Sequence, residues 1–456
     1  MPGTSGGRAL ASQIDTRFHA CHSEFRIPNS IDYPCPAMPR INPAALEDDL
    51  LLRGVWEGLG SPECHLTGGY VRDRLLGRDS VDLDLVLPGT LETVTGPAQR
   101  LAARLDTSAH VLGRGAKRVW RIEAPEIQIE LWPLGDLSLG DDIGRRDFSC
   151  NALVWRLPNG PLDDRVCGLE DLESGYIRAL SKKNLEDDPV RLVRTPRFVA
   201  QLAGFQIEPQ TANWIGELAP RLAGAPRERV GQELVKLLGA FGAGAGLRNL
   251  VELGLLEPAA PAEARCDRSW TEQNLEAASR LSGSAPHPVA SALRSAGIAG
   301  RLAFLFRCWG SPDSDSLAAY AWPRTKRLHA ARAAALFEHT LTTVEASAAD
   351  RRSLIHSAGA AFPATLALAA AVEPDRPWAR WWRLWRKQGQ KLVNPDPLLS
   401  GDEIAAVLEL QPGPELGHAV DALTEAQVRG EVKTAEGARR WLRRNNQTLE
   451  CWNVEC

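Results

Sequence analysis

Two periods of hydrophobic and polar residues run along this chain, and where one gives way to the other predicts its layout. Strand-length alternation recurs between residues 64 and 132. Cys64–Thr67 is a short run ending in Gly68-Gly69, which predicts a strand closed by a turn. Val71, Leu75 and Leu76 then fall at helical spacing, and Gly77 stops the helix. The run Val81-Asp82-Leu83-Asp84-Leu85-Val86 alternates strictly. Alternation puts Asp82 and Asp84 on one face of a strand and Val81, Leu83 and Leu85 on the other. Residues 119–123 and 126–132 predict two further strands. In the second, Glu126, Gln128 and Glu130 face one way and Ile127, Ile129 and Leu131 the other.

Beyond about residue 180 the apolar period is helical. A helix opens at Asp188-Pro189, with Pro189 at its first position and Asp188 as cap. Pro196, inside the same pattern, is expected to kink or end it. Leu234, Leu237 and Leu238 form the buried face of a second helix, a Gly/Ala-rich break follows, and Leu247–Leu253 makes a third. Residues 259–290, rich in Ala, Pro and Ser, read as a linker, and the remainder as mostly helical. Trp378, Trp381, Trp382 and Trp385 recur at i, i+3, i+4 and i+7, with Arg376, Arg380, Arg383 and Lys387 on a largely different face. Ser400 followed by Glu403 predicts a capping box, and two more helices, over Leu423–Gly430 and Thr434–Arg444, end the chain. At the other end, residues 1–40 show no period and are expected to be disordered. Met38 precedes the first helical pattern, Ala44–Leu59, and is a second candidate start besides Met1.

Composition narrows the class. The chain has 456 residues, enough for several packed units, with 44% hydrophobic and 24% charged residues. A net charge of −4 confines any basic surface to a local patch. No apolar run approaches the length needed to span a bilayer, and no secretory signal opens the chain. Nine cysteines without C-x-x-C pairs indicate neither a zinc site nor a disulfide scaffold, so a reducing cytoplasm is the expected compartment.

The candidate chemistry sits on the strict alternation. Two carboxylates two residues apart on a strand can share a pair of divalent metals, which stabilise the attacking and leaving oxygens of phosphoryl transfer. The same pattern alone also describes a solvated strand face. Gly68-Gly69 before a helix lets backbone amides approach phosphates. Arg145 and Arg146 form a pair suited to triphosphate oxygens. Asp147 and Asn151, one turn apart if helical, are placed to hold a ribose. A carboxylate and a guanidinium at Asp188 and Arg191 can copy a Watson–Crick edge, or merely cap the helix and pair with each other.

In this order the strand, Gly68-Gly69, Arg72-Asp73 and D-x-D at Asp82 and Asp84 resemble the G-G-x-V-R-D…D-x-D signature of the class II tRNA nucleotidyltransferase and bacterial poly(A) polymerase family. Arg145–Ala152 resembles the family's R-R-D-F-T-x-N-A motif, and residues 187–191 its E-D-x-x-R base-reading motif, with Asp187 for the usual Glu. Arg194 continues that motif, and Arg229 with Glu233 fits its E-R-x-x-x-E-L helix, read here as a structural pair. Leu162–Leu172 resembles a hinge segment with Asp164 in place of Pro.

The resemblance implies an α+β polymerase-beta-like head with a small mixed sheet over residues 41–180. An all-α neck (181–258), body (259–395) and tail (396–456) follow. It implies Mg²⁺ on Asp82 and Asp84, with Glu130 as a third carboxylate on the neighbouring strand or else a surface glutamate. It implies Gly68, Gly69 and Arg72 at the triphosphate, and tRNA, CTP and ATP as partners. Arg380, Arg383 and Lys387 are then candidates for the RNA backbone. About fifteen residues separate Glu130 from Arg145, roughly half the spacing expected of members that add all of CCA, and Trp132-Pro133-Leu134 stands where an Arg is expected. The expected activity is therefore addition of nucleotides of the CCA end to tRNA from CTP and ATP, either all of CCA or the CC step alone, the latter with a separate A-adding enzyme as partner. A poly(A) polymerase or an A-adding enzyme is the alternative.

Overall fold

The computed structural model describes residues 41–115, 118–281, 289–312, 315–343, 345 and 347–450. The segment 1–40, with its expected disorder and Met38, lies outside them.

Seven strands form one mixed sheet in the order β3-β4-β5-β2-β1-β6-β7: β1 (His65–Thr67), β2 (Asp82–Leu87), β3 (Ala109–Leu112), β4 (Val119–Ala124), β5 (Ile127–Pro133), β6 (Val154–Arg156) and β7 (Leu162–Asp163). Only β2 and β5 run parallel, and they place Leu83 opposite Ile129 and Leu85 opposite Leu131. All four side chains are buried. They lie on the face covered by helix Leu91–Arg104, which buries Val94, Ala98, Leu101 and Ala102 against β4 and β5. The opposite face carries Asp82, Asp84 and Glu130. Val81 does not join the buried set: β2 begins one residue later, and Val81 is exposed. The predicted helix over Ala44–Leu59 is split into Ala44–Glu47 and Leu50–Gly58, because Asp49 caps the second piece by accepting from Leu51 N at 3.1 Å.

The helices used below are α1 (Gly69–Leu75), α2 (Leu139–Gly144), α3 (Lys182–Asp187), α4 (Val190–Gln201), α5 (Arg227–Gly239), α6 (Ala243–Glu252), α7 (Phe362–Val372) and α8 (Trp378–Val393). A two-stranded parallel pair, Tyr176–Ile177 with Gln206–Ile207, sits beside α4. Pro196 does not end α4, which continues to Gln201. It costs the helix one hydrogen bond, and burial of Phe198, Val199 and Ala200 beyond it outweighs the loss. The expected Gly/Ala break is confined to residues 240–242, and the small residues after it open α6. A Cβ at Gly246 would meet Pro196 O at 2.8 Å, so the small residues are there to let two helices touch.

The expected linker over 259–290 contains helices Arg268–Gln273 and Leu275–Arg280, with Trp270 packed at 5.3 Å from Phe304 and 5.8 Å from Phe337. Contrary to the reading of the apolar runs, the helical stretch Ala348–Val372 is long and apolar enough to cross a membrane, and 72% of that window is buried within the fold. Its second half, α7, is apolar all round because it is enclosed all round. Trp378, Trp381 and Trp382 of α8 pack into the same core, Trp381 at 6.2 Å from Phe362. The last helices keep a small core of their own, including Leu399, Ile404, Leu423 and Leu442. Ser400 and Glu403 form the predicted capping box.

Candidate active site

On the open face of the sheet, Asp82 is exposed and Asp84 partly buried, as alternation requires. Parallel pairing sets Glu130 directly opposite Asp84. Burial, then the charge of Glu130, pushes the Asp84 carboxyl up to about 6, against the pull of Arg146. Glu130 itself is claimed by Arg121 of β4, whose Nε lies 3.2 Å from its Oε1. Among the described residues no three His, Cys, Asp or Glu side chains converge as a preformed metal site. Two strand carboxylates remain, and that donor count suits Mg²⁺, which completes its shell with water and substrate phosphates. Gly68 supplies a second mark of fit. Its φ of +76° and the 2.7 Å between an added Cβ and Asp84 Oδ2 exclude any side chain there, leaving a space beside the carboxylate. Asp82, Asp84 and that space therefore fit a divalent ion.

Arg72 lies inside the fold. Its guanidinium is buried, bonded to Asp73 at 2.8 Å and to Asn151 Oδ1 at 2.7 Å, and stands over the Phe198 ring at 5.1 Å. These bonds engage one N–H each of the Arg72 Nε, Nη1 and Nη2, three of the five donors of the guanidinium. Asn151 passes the chain on to Asp147 through a 3.2 Å bond, and Asp147 accepts from Arg194 at 2.8 Å. Burial works to raise the Asp147 pKa, but the Arg194 charge and these hydrogen bonds overcome it and hold the carboxyl below its usual range. Asp147 and Asn151 are thus not one turn apart on a helix. Only Ser149–Asn151 forms a 3-10 turn, and both side chains lie inside the fold.

Arg145 is exposed, while Arg146 is held by Asp142 of α2 at 2.7 Å. Asp187 is exposed and pairs with Lys183 at 3.0 Å. Asp188 does not cap α4: its side chain makes no capping bond and is gripped from α5 by Arg229, at 3.0 and 2.7 Å. Arg191 does not pair with Asp188 but donates to the carbonyls of Asn184 (3.0 Å) and Arg145 (2.8 Å). Arg229 and Glu233 are likewise not a pair with each other, because Glu233 takes Arg194 and Arg197 at 3.2 and 2.7 Å. Sequence spacing gave no sign of Arg121 or Asn184 as partners of the site. Each acts across chain separations that only the fold closes. Asp164, in the expected hinge, accepts from the backbone N–H of Gly168 and Leu169. Arg380, Arg383 and Lys387 stand exposed on α8.

A mixed sheet bearing paired aspartates on its open face, beside a glycine turn and an arginine pair, defines a nucleotidyltransferase of the polymerase-beta-like class. Residues 120–178 match the family described as the Poly A polymerase head domain, and residues 204–265 match the probable RNA and SrmB-binding site of polymerase A. The A-adding tRNA nucleotidyltransferase of Deinococcus radiodurans is 32% identical over 426 residues, covering 84% of this chain and 95% of that protein. The CC-adding tRNA nucleotidyltransferase of Thermus thermophilus is 30% identical over 423 residues, covering 82% and 92%. The crystal structure of the Bacillus stearothermophilus CCA-adding enzyme in complex with CTP aligns with a TM-score of 0.67 at 25% identity, over 90% of this chain and 99% of that one. The chain belongs to the tRNA nucleotidyltransferase family, and it is an enzyme of that kind.

Proposed function

We propose that the enzyme transfers a nucleoside monophosphate from CTP or ATP to the 3′ end of tRNA without a nucleic-acid template, and that it performs the CC step. The observation that carries the transfer is the Asp82–Asp84 pair beneath the space kept by Gly68, with the Arg146 charge felt at Asp84. Asp82 and Asp84 would hold Mg²⁺, which when bound stabilises the attacking and leaving oxygens. The acceptor 3′-hydroxyl loses its proton as its oxygen bonds to the α-phosphorus, and pyrophosphate leaves. Arg145 and Arg146 take the triphosphate. Gly68 and Gly69 leave it room. Asp147 and Asn151 back the ribose, with Arg194 holding Asp147 in place. Asp188 and Arg191, at the entry to α4, read the base, flanked by Asp187.

Restriction to the CC step rests on the short connection between Glu130 and Arg145. Here β5 runs to Pro133 and α2 starts at Leu139, with a capping box between Ser138 and Asp141, so only residues 134–138 lie outside the two elements. Such an enzyme needs a separate A-adding partner in the cell. The full-length likeness to an A-adding relative favours a second reading, addition of the terminal A.

The test is extension of tRNA transcripts ending before CCA, after C and after CC, with CTP and ATP offered singly and together. Products stopping at CC are expected. Extension of only the CC transcript, with ATP, would establish the second reading; long A tails on any RNA would move the enzyme to poly(A) polymerase.

A further inference from the structure

We infer that Asn184 is a positioning residue that joins the Arg145–Asp147 segment to the base-reading helix and so sets the choice of nucleotide. The inference rests on the proposed transfer reaction. Four consecutive carbonyls, from Gly144 to Asp147, all accept hydrogen bonds from residues 180 to 191. Asn184 Nδ2 donates to Gly144 O and to Arg146 O, both at 2.8 Å. Arg191 Nη2 donates to Arg145 O at 2.8 Å, and Leu180 N to Asp147 O at 3.1 Å. Asn184 closes the set a second time, since its own carbonyl accepts from Arg191 Nη1 at 3.0 Å.

Asn184 is 8% exposed and sits in the first turn of α3, whose cap Ser181 accepts from its backbone N–H. Both partners of its amide are carbonyls, so only an N–H donor serves, and one NH₂ group spans the two. Gly144 ends α2, where a carbonyl would otherwise lack an intrahelical partner. The consequence is mechanical. The segment that carries Arg145 and Arg146 and the guanidinium of Arg191 cannot shift separately while this latch is closed. A base seated against Arg191 is thereby placed at a fixed distance from the triphosphate, and a base of another size puts its α-phosphorus out of line with the acceptor. Asp188 is fixed from the other side by Arg229, so both base-reading groups are held before a nucleotide arrives.

The variants that test this are Asn184→Asp, which keeps the volume but faces two carbonyls with acceptors, Asn184→Ala, and Asn184→Gln, which keeps the donors. Each is assayed on the transcript that the unaltered enzyme extends, and kcat/KM is taken for CTP and for ATP. The ratio of the two is independent of how much of a preparation is folded. For Asn184→Ala the ratio is expected to fall about tenfold, on the scale of one or two lost hydrogen bonds, further for Asn184→Asp, and less for Asn184→Gln. A wild-type ratio in Asn184→Ala and Asn184→Asp, whatever their melting temperatures, overturns the inference alone. No incorporation of either nucleotide by the unaltered enzyme overturns the proposed function and this inference with it.

Discussion

Asp84 is a carboxylate placed where ionisation is unfavourable in the empty protein. Its folded pKa of about 6 stands above the ordinary 3.8, so the folded state binds its proton more tightly than the unfolded chain does. Ionised Asp84 therefore costs stability in full above about pH 6, and the cost disappears as pH falls below the unfolded value. Two outcomes follow for Asp84→Asn. Transfer is abolished, and the metal-free protein melts higher than wild type at pH 7 to 8, a gap that closes toward pH 4. A thermal melt series across that range checks it; a variant that melts lower at every pH would remove Asp84 from this role. Added Mg²⁺ should raise the wild-type melting temperature and leave that of Asp84→Asn unchanged. Gly68→Ala should also lose transfer, because its Cβ would lie 2.7 Å from Asp84 Oδ2. Positive φ adds a strain of about 1–3 kcal/mol, readable in a denaturant melt.

Among the elements, α4 and α5 show how far spacing alone can mislead. Arg229 and Glu233 stand one turn apart and read as a pair, and Asp188 reads as a helix cap. Assembly re-sorts them. Arg229 finds a two-pronged partner in Asp188 across the helix gap, and Glu233 is enclosed with Arg194 and Arg197. The Arg197 guanidinium also lies 3.9 Å over the Phe198 ring. Buried charges choose partners by enclosure and geometry, which a linear period does not contain. Removing Glu233 leaves the buried Arg197 without its carboxylate, while Arg194 keeps Asp147. Glu233→Ala should cost roughly 3–5 kcal/mol in urea unfolding, the usual penalty for breaking a buried pair. Loss under about 1 kcal/mol would mean that Arg197 repartners.

For the whole molecule, the net charge of −4 gives no hint of RNA, and the cations proposed to meet it are Arg380, Arg383 and Lys387 on α8. The two faces of that helix separate cleanly. Trp381 is fully buried, and Trp381→Ala should cost about 3–5 kcal/mol. Arg380, Arg383 and Lys387 are exposed, and replacing all three with Ala should leave stability within about 0.5 kcal/mol. Binding of tRNA should weaken, with the slope of log affinity against log salt shallower by roughly 2 to 3, since each phosphate contact contributes about 0.7 to 0.9. An unchanged slope would take this face of α8 out of the RNA surface.

The sequence by itself determined the strands that carry Asp82, Asp84 and Glu130, the turn at Gly68-Gly69 and the tryptophan stripe. These are local: alternation and helical period follow from backbone geometry, and glycine from the φ it alone tolerates. It also predicted the capping box at Ser400, which spans one turn. The tertiary structure decided what those residues touch. It placed Glu130 beside Asp84 through a parallel register, and it tied Arg72 to Asn151 and, through it, to Asp147 in a buried network. It kept α4 helical through Pro196, filled the expected linker with helices, and enclosed an apolar stretch long enough for a membrane. Each of these depends on groups far apart in the chain, whose desolvation and charge pairing are fixed only when the surfaces close on one another.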